Sequence, residues 1–507
     1  MSFVRRLAVA AVLAPSLLSA QAASRAGATI VGPPKGTVIV VGGGSMGPEI
    51  YGEFIKAAGG PDALIIDVPN AGGGESYGQD AAGTRGFKAA GAKNVYVLHT
   101  RDRKVADSDS FVAVIKKAGG IWFEGGRQWH LVNDYGGTKT EAAFREVLER
   151  GGVVGGSSAG ASILGDFLVR GAPSSNNRIM DHPQYQKGFA YLQNTGIDQH
   201  VVARERLPDL ADSIITKYPN MLAISEDEGT AWVVRGDTGT IVGRSKAFVY
   251  NGTEKDPGSP FLTLWPGDVY NLATRKVVRR AIEGSPLTVA FVDSVFSRYA
   301  DASRGGATVL VAHDGKVLVN KSWGIAPQAR YMPTTTVPQF DIGAMSAVFT
   351  SLCAQLPEQP AGRGNAPARD STPRPDSASP NAASTLTALQ RCVTRQVGAP
   401  VGMHKTNATT DDRVMSNVDE LYRLELGLEN PRTWRDVDAT KGWEPETTGG
   451  TTRLSAFAAA GGKRSAFVRV PDKKVTVILL TNDDSADAKG MANHIVDRLV
   501  GSAHGHH

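Results

Sequence analysis

Short apolar runs alternate with amphipathic segments through the first half of the chain. The runs that predict buried strands lie at residues 37–41, 63–66, 94–98, 120–123 and 153–155. Between them residues 110–118 and 140–150 predict helices, and in the second helix Ala143, Val147 and Leu148 share one face opposite the charged residues. Strands and helices that alternate at this spacing form βαβ crossovers, so we expect an α/β fold with a mostly parallel sheet flanked by helices. Sites in such sheets form at the carboxyl ends of the strands.

The pattern changes in the second half, where strands dominate. An Asp314-Gly315 turn predicts a hairpin over residues 307–319. A chain of 507 residues also exceeds the length of one ordinary domain. We therefore expect two domains, at residues 30–284 and 285–503. Within the second, residues 357–384 are rich in Pro, Ala, Ser and Arg and lack periodicity, which predicts a disordered loop.

The first 22 residues have the pattern of a secretory signal peptide. Arg5 and Arg6 precede an apolar run at residues 7–14, and Ala20-Gln21-Ala22 matches a cleavage site. The apolar run is too short to span a bilayer. We therefore expect export to the periplasm or the medium, and no membrane span in the mature chain.

Charge and cysteine content narrow the function classes. The net charge is +5 and no run of basic residues resembles a nucleic-acid footprint, so we expect no nucleic-acid partner. Two cysteines exclude a disulfide scaffold and a cysteine-rich metal site. In an oxidising compartment Cys353 and Cys392, which flank the predicted loop, could pair, although two buried free thiols are an equal alternative. The C-terminal tail contains His504, His506 and His507, but it is too short for a metal site. We expect neither a metal nor a cofactor.

A glycine-rich turn follows the first predicted strand. Residues 42–47 have the spacing G-x-G-x-x-G, and Asp67 closes the next strand about 20 residues on, as in a dinucleotide site. A single glycine motif in a glycine-rich chain is weak evidence, and an exported protein meets little nicotinamide cofactor. We favour the simpler interpretation, a tight turn after the first strand.

A second glycine turn carries a candidate nucleophile. Residues 153–155 form a short strand, Gly156-Ser157-Ser158-Ala159-Gly160 follows, and small residues begin a helix. This is the G-x-S-x-G pattern between a strand and a helix, which exposes a serine at the tip of a sheet. The helix N-terminus also favours developing negative charge. Ser158 is therefore a candidate nucleophile.

A serine nucleophile needs a base and an acid that orients the base. His200 and Glu228 both lie at the ends of predicted elements in the same half of the domain. Taken alone, a histidine after Asp198-Gln199 is more often structural. The residues by themselves leave both interpretations open.

Four segments in register resemble serine peptidase family S51, which contains cyanophycinases and aspartyl dipeptidases. The resemblance covers roughly residues 35–252, and the segments are Gly125-Gly126-Arg127-Gln128, Gly156-Ser157-Ser158-Ala159-Gly160-Ala161, Ile197-Asp198-Gln199-His200 and Glu228-Gly229-Thr230-Ala231. It implies a sheet like that of class I glutamine amidotransferases, usually in a homodimer. The order Ser, His, acid also differs from the order in α/β-hydrolases, which argues against a lipase.

The resemblance implies a role for each matching residue. Ser158 would be the nucleophile, His200 the base and Glu228 its orienter. The oxyanion would be held by backbone N–H groups of Ala159 and Gly126. The positions that match the family's substrate-binding residues are Gln128, Asp198, Gln199, Arg204 and Arg206.

The function that the resemblance implies is hydrolysis of cyanophycin, multi-L-arginyl-poly-L-aspartate, to β-aspartyl-arginine dipeptides. Two departures from the family pattern concern specificity. Ser157 stands where threonine is common, and residues 207–209 stand where a third arginine is expected. Two alternatives therefore remain: a peptidase of the same family acting on other aspartyl peptides, and a binding protein without activity.

Scattered parts of residues 288–503 resemble the serine β-lactamase-like hydrolases, an α+β fold. In that family the segment matching Phe340-Asp341-Ile342-Gly343 continues with S-x-x-K, the acylated serine and its lysine. Here those positions hold Ala344 and Ala347, Ser346 is out of phase, and Thr448-Gly449-Gly450 is the nearest remnant of K-T-G. We therefore expect a degenerate domain that binds or packs but does not catalyse.

Overall fold

The computed structural model describes residues 30–174, 178–179, 182–256, 258–300, 305–324, 339–357, 386–448, 450–458 and 464–501. The predicted signal peptide, the predicted loop beyond Pro357 and the histidines of the tail lie outside these residues. Across the described ranges no helix is both long and apolar enough to cross a bilayer.

Fourteen strands lie in the described part of residues 30–284. In chain order they are β1 (Thr37–Val41), β2 (Leu64–Val68), β3 (Asn94–Val97), β4 (Gly120–Phe123), β5 (Val153–Ser157), β6 (Gly165–Phe167), β7 (Leu192–Gln199), β8 (Leu222–Glu226), β9 (Thr230–Arg235), β10 (Thr238–Gly243), β11 (Ala247–Val249), β12 (Leu262–Leu264), β13 (Val269–Asn271) and β14 (Lys276–Arg279). The helices of this half are α1 (Pro48–Ala57), α2 (Ala82–Ala89), α3 (Arg103–Ala106), α4 (Asp109–Val112), α5 (Gln128–Tyr135), α6 (Lys139–Glu149), α7 (Ala159–Ser162) and α8 (Leu207–Asp209), which continues as a π-helix over Leu210–Ile215.

The strands form two sheets. The larger has the order β14-β13-β10-β9-β1-β5-β4-β2-β3, and from β1 to β3 every neighbouring pair is parallel. The other end of this sheet is antiparallel. The smaller sheet has the order β12-β11-β8-β7-β6, with β6, β7 and β8 parallel. The predicted α/β fold with a mostly parallel central sheet is confirmed.

Strand β1 shows why helices cover both faces of the larger sheet. Its side chains alternate between faces, as in any strand. Val38 and Val40 pack with the apolar face of α6, whereas Ile39 and Val41 pack with Phe54 of α1 and with neighbours on the opposite face. Because both faces are buried, β1 is a continuous apolar run rather than an alternating one.

The helix predicted at residues 110–118 is split. Ser108 caps the short helix α4, and Ile115–Lys117 form a separate 3₁₀ turn. The chain becomes extended at Ala118 (φ −73°, ψ 138°) in order to enter β4. The prediction of one continuous helix was therefore wrong.

The second half is built around an antiparallel sheet. Its strands are β15 (Ala307–His313), β16 (Lys316–Trp323), β17 (Phe340–Asp341), β18 (Asn407–Ala408), β19 (Val414–Ser416), β20 (Glu444–Thr448), β21 (Thr451–Ala458), β22 (Arg464–Val470) and β23 (Val475–Thr481). Its helices are α9 (Val289–Val295), α10 (Ser346–Gln355), α11 (Ala388–Arg391), α12 (Ala399–Val401), α13 (Val418–Glu429) and α14 (Ala488–Val500), with a π-helix over Cys392–Gly398. The main sheet has the order β16-β15-β23-β22-β21-β20, and β17, β19 and β18 form a small one.

Helices cover both faces of this main sheet too. Val309 and Leu479 pack with α14 on one face, while Leu310, Ile478 and Leu480 pack with α10 and α13 on the other. The hairpin predicted over residues 307–319 is the β15–β16 pair. A disulfide joins Cys353 on α10 to Cys392, with the two Cα atoms 5.9 Å apart, so the alternative of two free thiols was wrong.

Candidate active site

Ser158 lies at a sharp turn between β5 and α7. Its backbone has φ 58° and ψ −116°, a region that costs a residue with a side chain about 1–3 kcal/mol. The turn needs the flanking glycines. A Cβ on Gly156 would lie 2.2 Å from the carbonyl oxygen of Gly160, and a Cβ on Gly160 would lie 2.0 Å from the carbonyl oxygen of Phe123. The strand and the helix approach too closely for any larger residue.

The structure brings Ser158, His200 and Glu228 together. His200 directly follows β7, and its Nε2 lies 2.8 Å from Ser158 Oγ. Its Nδ1 lies 2.6 Å from Oε1 of Glu228, two residues beyond the end of β8. With Nδ1–H donating to the carboxylate, Nε2 is free to accept the serine proton. Strand β5 of the larger sheet and the parallel strands β7 and β8 of the smaller sheet thus bring the predicted nucleophile, base and acid together just beyond their carboxyl ends.

The electrostatics of the three groups suit proton transfer at neutral pH. Burial is the main cause that lowers the pKa of His200, and it outweighs the opposing hydrogen bond to Glu228. Burial alone would raise the pKa of Glu228, but hydrogen bonds from His200 and His404 outweigh it and hold that pKa below its ordinary value. A neutral imidazole therefore faces an ionised carboxylate, which is the state that a general base requires.

The first glycine turn packs against this constellation. A Cβ on Gly43 would lie 2.1 Å from His200 Cε1, and a Cβ on Gly44 would lie 2.6 Å from Glu228 Oε2. Asp67, the acidic residue of the dinucleotide hypothesis, is fully buried, and its Oδ2 accepts hydrogen bonds from the backbone and hydroxyl of Thr84. Asp67 is thus not placed to bind a ribose. The glycines are explained by the room that the histidine and the glutamate need.

The second glycine turn lies beside Ser158. A Cβ on Gly125 would lie 3.2 Å from Ser158 Cβ and 3.7 Å from Ser158 Oγ. Gly126 has φ 143°, and a Cβ on it would lie 2.1 Å from the carbonyl oxygen of Ala71. Ala159 is the first residue of α7. Both backbone segments that were predicted to hold the oxyanion therefore border Ser158, and the donor role of Ala159 and Gly126 stays a prediction.

The predicted substrate-binding residues differ in exposure. Arg204 is exposed, whereas Gln128, Asp198, Gln199 and Arg206 are buried. The Nη1 of Arg206 lies 3.4 Å from Gln199 Oε1 and 3.9 Å from Asp198 Oδ1. Of the five, Arg204 is thus the one that meets solvent, and contact of the others with substrate stays a prediction.

Arg170, which lies in no recognisable motif, is the partner that allows Asp198 to be buried. Its guanidinium binds both oxygens of Asp198, at 2.9 and 2.6 Å, and also contacts Asp209 at 2.7 Å. The side chain of Gln128 donates to the carbonyl oxygen of Arg170 at 2.7 Å. A buried carboxylate requires such a partner. Arg170 therefore holds two of the predicted binding residues, Asp198 and Gln128.

The second half of the chain also reaches this site. His404 and Arg423, which no motif marked, contact Glu228 and Asp227 respectively. Among the described residues, no group of three or more histidine, cysteine, aspartate and glutamate side chains has an arrangement that could hold a metal ion.

Comparisons with known proteins agree with this geometry. Residues 38–242 match the profile of peptidase family S51. The chain is 29% identical over 271 residues to a cyanophycinase of Synechococcus elongatus, a match that spans 49% of this chain and 83% of that protein. It is 29% identical over 272 residues to a cyanophycinase of Geminocystis herdmanii, which spans 98% of that protein.

A solved structure of a peptidase from an acI-B1 actinobacterium is also similar. It is 24% identical, with a TM-score of 0.38, and the match covers 48% of this chain and 97% of the actinobacterial chain. Sequence similarity and family profile both fall on the half that holds Ser158, His200 and Glu228. The chain is therefore a serine-type peptidase whose residues 38–242 match the model of peptidase family S51.

Proposed function

We propose that this peptidase hydrolyses cyanophycin to β-aspartyl-arginine dipeptides through an acyl-enzyme. The observation that carries the proposal is the hydrogen-bonded chain from Ser158 through His200 to Glu228, at 2.8 and 2.6 Å. The 29% identity to cyanophycinases over the same half supports the choice of polymer.

The chemistry follows from these contacts. His200 Nε2 takes the proton of Ser158 as Oγ attacks the peptide carbonyl, and backbone N–H groups of Ala159 and Gly126 hold the oxyanion, at about 3 kcal/mol for each donor. The imidazolium then gives its proton to the leaving amine, and the acyl-enzyme forms. His200 next deprotonates a water molecule, which releases the acid and restores the serine. Glu228 stabilises the imidazolium in both halves of the cycle.

Arg204 gives the proposal its link to the substrate. Cyanophycin, as the resemblance implies, carries an arginine on each β-carboxyl of a polyaspartate backbone, and the arginines leave free carboxylates. Arg204 is exposed, and its backbone N–H donates to the carbonyl oxygen of His200 at 2.8 Å, so its backbone lies one turn beyond His200. A guanidinium binds a carboxylate with two parallel hydrogen bonds.

We further propose three properties of the whole chain. The chain is exported after cleavage near Ala22, it forms a homodimer through an N-terminal domain like those of class I glutamine amidotransferases, and its C-terminal domain is a β-lactamase relative without activity. Ala344 and Ala347 in place of the acylating serine and lysine support the last point. N-terminal sequencing of the exported protein and light scattering of the purified chain test the first two.

The experiment that tests the reaction compares substrates and two serine variants. The purified chain is assayed on cyanophycin, on β-aspartyl dipeptides and on α-aspartyl dipeptides. S158A is expected to abolish hydrolysis, whereas S157A, which removes the neighbouring hydroxyl, is expected to retain it. Hydrolysis of short peptides without hydrolysis of the polymer would replace cyanophycin with other aspartyl peptides. No hydrolysis of any of them would favour a binding protein.

A further inference from the structure

The carboxylate of Glu228 is held by two histidines, one from each half of the chain. Oε1 faces His200 Nδ1 at 2.6 Å, and Oε2 faces His404 Nε2 at 2.9 Å. The side chain of Glu228 is 14% exposed and that of His404 is 47% exposed. His404 therefore contacts the Glu228 oxygen that does not contact His200.

Next to this contact the second half makes a buried ion pair. Arg423 of α13 donates to Asp227 Oδ2 at 2.9 Å, and the two side chains are 6% and 1% exposed. The other oxygen of Asp227 accepts from the backbone N–H groups of Val202 and Ala203, just after His200. Asp227 is thus bound both to α13 and to the residues that follow His200.

The backbone around His404 is fixed on the same helix. Glu420 of α13 accepts hydrogen bonds from the backbone N–H groups of Lys405 and Thr406, at 2.9 and 3.1 Å. Gly402 has φ 74°, and a Cβ on it would lie 3.1 Å from Arg423 Nη1. His404 therefore sits between a turn that only glycine adopts easily and a segment bound to α13, which fixes its backbone beside Glu228.

Two more ion pairs join the two halves of the chain. Lys246, which follows β10, lies 2.6 Å from Asp419 of α13, and Lys405 lies 3.3 Å from Glu205. The approach of His404 to Glu228 is thus one of several polar contacts between the two halves, which argues against a chance meeting of two surface side chains.

We infer that His404 is a positioning residue for the peptidase reaction, which makes the C-terminal half part of the working active site. By holding Oε2, His404 fixes the rotation of the carboxylate so that Oε1 points at His200 Nδ1. The inference rests on the Ser-His-Glu mechanism of the proposed function and holds whichever peptide is cleaved.

The charges at this contact give the direction of a pH effect. The hydrogen bond from His404 partly offsets the negative charge of Glu228. Without His404, the full charge of Glu228 acts on His200, and the pKa of His200 is expected to rise. The hydrogen bond to Glu228 is the main cause that raises the pKa of His404 itself. The other charged groups around the two histidines and Glu228 are Glu420, Arg423, Arg244, Arg204 and Arg206.

The test measures how fast a fluorophosphonate probe modifies Ser158 at each pH. This rate needs the base and its orienter but no peptide substrate. At the pH-independent maximum of its pH–rate profile, H404A is expected to react about tenfold more slowly than the wild type. The pH at which its rate falls to half of that maximum is expected to be higher than in the wild type. H404Q keeps an N–H donor within reach of Glu228 and is expected to restore most of the plateau rate. H494A, on α14 against Phe291, is the matched control and is expected to react like the wild type.

The outcomes separate the inference from the proposed function. A wild-type rate in H404A at every pH would overturn the inference. So would an equal loss in H404A and H404Q with an unmoved midpoint, because that pattern marks general loss of packing; circular dichroism of each variant checks its fold. A wild type that reacts with the probe but leaves cyanophycin intact refutes the proposed substrate alone. A wild type whose Ser158 does not react refutes the serine mechanism and, with it, this inference.

Discussion

Replacement of Glu228 by glutamine removes one negative charge and almost no volume. The carboxylate makes two contacts, to His200 Nδ1 at 2.6 Å and to His404 Nε2 at 2.9 Å. A glutamine has one acceptor and one donor at these two places. Its oxygen can therefore accept from His200 only if its NH₂ group points towards His404.

The size of the effect follows from which contact the glutamine keeps. His404 is half exposed, so its ring can take the tautomer in which Nε2 accepts, and the amide oxygen then remains on His200. In that case the correct tautomer of His200 survives and only the charge is lost. A hydrogen bond to a charged group contributes about 1.5–3 kcal/mol, which corresponds to a loss of about 10–100-fold in the rate. We expect the E228Q rate to fall by about 10²-fold.

Removal of His404 in addition changes the outcome for the base. In E228Q/H404A nothing keeps the amide oxygen on His200, and an NH₂ group turned towards Nδ1 forces the wrong tautomer. Loss of the tautomer as well as the charge costs about 10⁴-fold in a serine triad. The double variant is therefore expected to lose more than the product of the two single losses.

This reasoning is tested by the rates at which the fluorophosphonate probe modifies Ser158 in the wild type, E228Q, H404A and E228Q/H404A. A rate for E228Q within twofold of the wild type would refute the role of Glu228 as orienter. A double variant that loses only the product of the single effects would refute the argument that His404 sets the orientation of the amide.

Three further predictions concern the support of the site. R423M leaves Asp227 buried without its cation and is expected to lower the free energy of unfolding by about 3 kcal/mol. D227N/R423M removes the unpaired charge as well and is expected to regain part of that free energy. Urea unfolding measures the stability of the two variants, and equal losses in them would contradict the pairing. G43A is expected to slow Ser158 modification by more than about 10²-fold because its Cβ would overlap the ring of His200. G60A is the control for the backbone conformation alone, since Gly60 has φ 103° and a Cβ there would have no neighbour within 4 Å. Because burial lowers the pKa of His200, the modification rate is expected to persist as pH falls below 6.5 and to be lost only at lower pH; a midpoint above 6.5 would contradict the assignment.

The sequence predicted the parts of the molecule whose pattern is local. The strands β1, β2 and β4 are short, mainly apolar runs, and a sheet buried on both faces requires such runs. The turn at Ser158 was predictable because two glycines at fixed spacing are needed there by close approach of strand and helix. The order of the three triad residues along the chain came from the resemblance rather than from any local pattern.

Contacts between distant segments could not be predicted. His404 is 176 residues from Glu228, and nothing in residues 402–406 distinguishes it from a surface histidine. The arginine that neutralises Asp198 was equally hidden, since Arg170 lies in no motif and its partner is decided by the path of β7. Sequence patterns indicate that a charge must be paired when it is buried, but not which residue will pair with it.

The bond between Cys353 and Cys392 has a practical consequence for protein engineering. It fixes two helical segments that are 39 residues apart in sequence, and in a chain-entropy estimate a covalent ring of that size disfavours the unfolded state by about 4 kcal/mol. Doubling the number of residues inside the ring would change the closure entropy by only about 0.6 kcal/mol. An affinity tag or a fluorescent reporter spliced between these cysteines is therefore expected to leave the adjoining helices in register. A single proteolytic cut there would yield two fragments that separate only after reduction.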